Sequence, residues 1–117
     1  MTPRAVPVLA WVPAFVLAAA LPCAAGEPDA ARQQQLLRMV RQDCGSCHGM
    51  RLTGGLGPAL TPGALADRPV EAIAATIYHG RPGTPMPPWR TMLDEADTQW
   101  IAAQLQAGLP DLRGAAR

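Results

Sequence analysis

The stretch Cys44-Gly45-Ser46-Cys47-His48 constrains this chain more than any other. Two cysteines separated by two residues, with a histidine immediately after, form the attachment signature of a c-type haem. Each thiol can add to one haem vinyl group. His48 then lies under the ring, where an imidazole nitrogen suits iron. Two other readings of a Cys-x-x-Cys pair compete. A thioredoxin-like redox couple follows a strand, and no strand pattern precedes Cys44. Structural zinc wants four ligands, and outside the motif only Cys23 and His79 remain as soft donors.

Size and composition agree with a prosthetic group. The chain has 117 residues, one small domain, with one Tyr and one Phe among many Pro and Gly. So few aromatics make a poor core at this length, and a covalently held macrocycle supplies apolar bulk. The formal net charge of +1 gives no electrostatic case for nucleic acid or an anionic membrane surface. All ten basic residues are arginine, a compositional trait with no bearing on a site.

Residues 1–25 read as an export signal. Arg4 is the positive start, Val6 to Leu21 the apolar run, and Cys23 and Ala25 the small residues before a cleavage point at Gly26. The run is short, interrupted by Pro7 and Pro13, and no stop-transfer charges follow. An uncleaved anchor is the rival; Pro22 fits a lipobox poorly. Cleavage there leaves Cys44 and Cys47 as the only thiols, both consumed by haem, so none is stranded in an oxidising compartment.

The remainder reads as helices joined by stiff loops. Asp29 is a candidate N-cap for a helix over Ala30 to Asp43, with Leu36, Leu37 and Val40 on one face and Cys44 extending the row. From Gly49 to Pro69 only Pro62 to Leu65 suggests a helical turn. Gly54, Gly55 and Gly57 in that loop point to close approach to a flat group such as a porphyrin edge; a phosphate loop would need its lysine. Asp67 is the expected cap of a second helix, in which Val70, Ile73, Ala74 and Ile77 form a stripe ended by Gly80. Leu93 to Gly108 is the last helix, capped by Asp94, with Trp100, Ile101 and Leu105 inward.

Between the last two helices lies Arg81-Pro82-Gly83-Thr84-Pro85-Met86-Pro87-Pro88-Trp89-Arg90. Four prolines fix an extended loop. A methionine in such a frame makes sense as a thioether presented to a metal, so Met86 is the expected sixth iron ligand. Met92 and His79 are its rivals. His79, in the last turn of its helix, is well explained by exposed carbonyls and the helix dipole. Arg81 and Trp89 flank the loop, and at least one is expected to hydrogen-bond a haem propionate.

With these residues in place the chain resembles the class I c-type cytochromes, and more narrowly the small NirC-type cytochromes associated with periplasmic nitrite reductase. The resemblance is carried by Asp43 to Met50, by Gly54 to Pro58, and by Gly80 to Trp89. It implies an all-α, class I cytochrome c fold of three main helices around one haem c. It implies that Pro58 offers its carbonyl to the free nitrogen of His48, which would fix that ligand's tautomer. The family usually has an aromatic in the last helix facing the first. Gln104 stands at that position, and Trp100, one turn earlier, is the candidate substitute.

The expected organisation is a signal peptide over 1–25, a cytochrome domain over 26–110 and a flexible tail over 111–117. The expected function is single-electron transfer in the periplasm, to nitrite reductase or to the machinery that matures its haem. Redox proteins are the expected partners, with no stable membrane insertion after cleavage, and a monomer is expected. With a ligand on each face of the iron, no position opens for substrate, and no distal acid–base pair flanks Met86, so a carrier is expected rather than an enzyme. A generic carrier and a docking haem subunit of another oxidoreductase complex are the alternatives.

Overall fold

The computed structural model describes residues 26–110. The export signal and the tail read over 111–117 lie outside them. The described residues form helices and loops without a strand. No helix among them is long and apolar enough to cross a membrane.

Helix α1 covers Ala30–Met39. Asp29 caps it, its carboxylate accepting from Arg32 N at 2.8 Å. The chain then widens into one π-helical turn, Val40–Cys44, before closing into α2, Gly45–His48. The sequence pattern reads this as one continuous α-helix, and the difference matters. A π turn accommodates an extra residue and rotates the side chains beyond it. The buried row therefore runs Leu36, Val40, Gly45, and Cys44 sits half-buried beside it.

Helix α3 is the short turn Pro62–Leu65, capped by Thr61 Oγ1. Helix α4, Val70–His79, starts after Pro69 without a side-chain cap. Asp67, the expected cap, falls in the preceding turn: Pro69 holds extended backbone at φ −58°, ψ 141°, and helical geometry starts only behind it. Helix α5, Glu95–Ala107, has a capping box in which the Asp94 carboxylate accepts from Asp97 N and the Asp97 carboxylate accepts from Asp94 N.

The core gathers around α5, which packs against α4, α3 and α1. Trp100, Ile101, Ala102 and Leu105 of α5 meet Ile73, Ala74 and Ile77 of α4, Leu36 of α1, Val40 and Leu65 in one cluster. Two polar ties fix the ends. Arg32 of α1 grips Asp97 of α5, with Nε 3.2 Å from each carboxylate oxygen and Nη2 on Oδ2 as well. Trp100 Nε1 donates to Glu27 Oε1 at 3.1 Å, so the indole is tied to the segment that leads into α1. Gln104 is half-buried. Gln106 turns to α3 and donates to the carbonyls of Leu65 and Arg68.

Candidate functional site

The attachment motif occupies the end of the first helical unit. Cys44 closes the π turn and Cys47 lies in the last turn of α2; both thiols are free. Burial pushes the Cys44 thiol up to about 11, and the neighbouring Asp43 carboxylate adds to the effect. A reactive redox cysteine has its thiolate stabilised instead. Cys44 is thus poorly suited to the thioredoxin-like reading.

His48 is 9% exposed and ends α2. Gly49 comes next, at φ +91°, and turns the chain back under the helix. The returning loop is pinned to the motif: Gly54 N donates to His48 O at 2.9 Å and Gly57 N to Cys47 O at 2.8 Å. This brings Pro58 O to 2.7 Å from His48 Nδ1. A carbonyl oxygen only accepts, so Nδ1 carries the proton and Nε2 keeps its lone pair free for a metal. The loop glycines serve approach to the motif itself. A side chain on Gly55 would meet Cys47 O at 2.9 Å, and one on Gly57 the imidazole of His48.

Met86 belongs to the loop after α4. Gly80, at φ +68°, turns the chain out of the helix. The loop is folded back on that helix end by Arg81 N to Met86 O at 3.2 Å and Trp89 N to Ile77 O at 3.2 Å. Thr84 braces it from within: its hydroxyl donates to Arg81 O at 2.7 Å and accepts from Met86 N at 3.4 Å. Met86 and Trp89 are half-buried and pack against the core, while the Arg81 side chain is exposed. Met92 is 54% exposed. His79 is exposed at the end of α4, edge-on to the half-buried Tyr78 with ring centroids 5.0 Å apart. It lines a depression formed with Glu27, Glu71, Tyr78, Glu95 and Trp100, which includes none of Cys44, Cys47, His48, Pro58 or Met86.

The donor set fits a haem. Two free thiols stand three residues apart, and a buried imidazole has one nitrogen committed and the other available. A thioether on a braced loop packs against the same core. Among the described residues no group of three His, Cys, Asp or Glu side chains could hold a bare metal ion.

The family described as cytochrome C oxidase, cbb3-type, subunit III matches residues 31–105, from α1 to the last turns of α5. Cytochrome c55X of Pseudomonas aeruginosa is 56% identical over 96 residues, which are 81% of each chain. A solved c-type cytochrome NirC superposes with a TM-score of 0.69 at 57% identity, over 70% of this chain and 96% of that one. The chain is a small c-type cytochrome of the NirC type. It has the class I cytochrome fold, carries covalently bound haem c and moves electrons. A further likeness is partial. Dihydro-heme d1 dehydrogenase NirN, solved in complex with DHE, matches at TM-score 0.58 and 35% identity. The match covers 63% of the cytochrome and 16% of that larger chain.

Some residues around the site leave little trace in the pattern. Thr84 reads as an ordinary turn residue, and its place between prolines is the available signal. The Arg32–Asp97 and Glu27–Trp100 ties span 65 and 73 residues, and no local periodicity reports such pairs.

Proposed function

We propose that this cytochrome is a periplasmic single-electron carrier of the nitrite-reductase system, exported by residues 1–25. It passes electrons to nitrite reductase or to the enzymes that mature that enzyme's special haem. Cys44 and Cys47 would form the thioethers, His48 and Met86 would hold the iron, and Pro58, Arg81 and Trp89 would support the group.

The observation that carries the reading is the commitment of His48 Nδ1 to Pro58 O, which leaves Nε2 alone for iron. A carbonyl on the far nitrogen orients the ring and raises its basicity. Bound between an imidazole and a thioether, the haem iron supplies a one-electron couple, and the thioether favours a higher potential than a second imidazole would. The rest is done by the chain. The core excludes water from the imidazole, and the proline loop keeps Met86 from swinging away. With His48 and Met86 both holding the iron, no position would open for substrate, and the protein would act as a carrier rather than a catalyst. The denitrification role is supported by the similarity to cytochrome c55X and NirC, and by the partial match to a dihydro-haem d1 dehydrogenase.

That last likeness also favours a second reading, in which the module docks as a haem subunit and electron transfer is secondary. Stopped-flow mixing decides. Reduced cytochrome should be oxidised rapidly by nitrite reductase, or oxidised cytochrome reduced by the haem-maturing dehydrogenase with its substrate. Stable co-purification without exchange at a useful rate supports the docking reading; neither result returns the protein to a generic carrier.

A further inference from the structure

Each of the two proposed iron ligands has a glycine pressed against the structure that holds it. A side-chain carbon built on Gly57 would lie 2.7 Å from His48 Cε1 and 2.8 Å from Nδ1. Carbon atoms do not approach that closely. The ring has little freedom to yield, because it is buried and Nδ1 is bound to Pro58 O at 2.7 Å. Nor can position 57 retreat: its N–H donates to Cys47 O at 2.8 Å and its carbonyl accepts from Gly55 N at 3.0 Å. Gly57 does not have a positive φ, so the need there is for space.

On the other side, a carbon on Gly80 would lie 2.6 Å from Pro87 C, 2.6 Å from Pro88 N and 2.9 Å from Met86 O. All three are backbone atoms of a proline-stiffened segment, which cannot move aside as a flexible side chain would. Gly83 makes a natural control within the same loop. It has φ +77°, yet nothing lies within 4 Å of its would-be carbon.

We propose that Gly57 and Gly80 are positioning residues, one behind each axial ligand. The bare backbone at 57 sets the tilt of the His48 imidazole, and at 80 it sets how closely the Met86 loop lies on the end of α4. The proposal rests on His48–Met86 ligation. A methyl at 57 tilts the ring and lengthens its bond to Pro58. The imidazole then donates less to iron, which disfavours the ferric state. A methyl at 80 lifts the Met86 loop and withdraws the thioether, leaving a position for a small ligand.

The test uses the haem-loaded protein as wild type, Gly57→Ala, Gly80→Ala and Gly83→Ala. Four quantities are read: the near-infrared sulfur-to-iron band of the ferric form, the potential, the rate of cyanide binding and the far-ultraviolet helix signal. Gly57→Ala should keep the band and raise the potential. Gly80→Ala should lose the band and bind cyanide several-fold faster, with helix retained. Gly83→Ala, which adds backbone strain without contact, should do neither. An unchanged potential in Gly57→Ala overturns the proposal at 57. At 80 it is overturned if Gly80→Ala behaves as Gly83→Ala does. Loss of helix together with band, or failure to yield folded protein, marks a merely structural role and also overturns it. A wild type without the band overturns the ligation reading itself; a wild type with the band and silent glycine variants overturns only this inference.

Discussion

The His48 side and the Met86 side of the cytochrome are held by different means. His48 is the last residue of a helix and is fixed at the ring itself, by a 2.7 Å hydrogen bond from Nδ1 to Pro58 O. Met86 is held through its backbone, by Arg81 N at 3.2 Å and Thr84 Oγ1 at 3.4 Å. One side fixes a side chain, and the other fixes a loop and lets the side chain follow. The physical lesson is an asymmetry of strength. The His48 side combines a helix end and a ring bond, to which the proposed thioethers of Cys44 and Cys47 would add covalent anchors, whereas the Met86 side relies on proline stiffness and packing, and should open first.

Removing the covalent anchors is the largest test of that asymmetry. In Cys44→Ala/Cys47→Ala, haem should no longer survive acid–acetone extraction or run with the polypeptide on a denaturing gel. Haem that washes out of the wild type as well would remove the basis of the comparison. Opening the weaker side comes next. Met86→Ala should lose the near-infrared band, lower the potential and admit carbon monoxide, while His79→Ala should do none of these. The ring of His79, set edge-on to Tyr78 in a depression that no residue of the attachment motif lines, is consistent with that contrast. If the band is lost with His79 and kept without Met86, the weaker side has been misassigned and the carrier is a bis-histidine one.

A third test concerns what the two sides share. Asp97 closes the capping box of α5 and receives Arg32 from α1, with side-chain exposures of 6% and 33%. Asp97→Ala removes a cap interaction and leaves a guanidinium short of its partner, at a cost of about 2–3 kcal/mol once the exposed half of the ion pair is discounted. Denaturant unfolding should show that loss with the m-value unchanged. The near-infrared band should persist below the transition, because the pair lies in the common frame and in neither ligand's support.

Much of the fold is legible because its periodic and capping signals are local. Asp29 and Asp94 cap helices, and Leu36, Val40, Ile73, Ala74, Ile77, Trp100, Ile101 and Leu105 are buried. The π turn over Val40–Cys44 is not legible. A single extra residue in the turn changes which residue faces inward without changing composition, so a 3.6-residue template carries straight through it. Asp67 misleads for a related reason: an acidic residue before a proline looks like a cap, yet the proline itself delays the helix. In the site, the motif and the proline frame are visible because they are contiguous. The neighbours of Gly57 and Gly80 are not, since a glycine states freedom of backbone and not which atom occupies the space it leaves.

The smallest effect expected separates the flanks of the Met86 loop. Arg81 is exposed and Trp89 half-buried against the core, so the two differ in how firmly each can hold a hydrogen bond to a haem propionate. A propionate accepting from a guanidinium is kept ionised, and a bond from an indole does the same with less charge. An ionised propionate near the iron favours the ferric state, because its negative charge stabilises the extra positive one. Neutralising that propionate by protonation therefore raises the potential as pH falls. Arg81→Gln should move this pH-dependent rise to higher pH, since the ionised acid loses its cationic partner. Trp89→Phe should move it in the same direction by less, and should leave the near-infrared band in place because the aromatic packing is retained. Potentiometric titration from acid to alkaline pH measures both. If both curves overlay the wild type, neither flank touches a propionate, and the Met86 loop acts on the haem through its methionine alone.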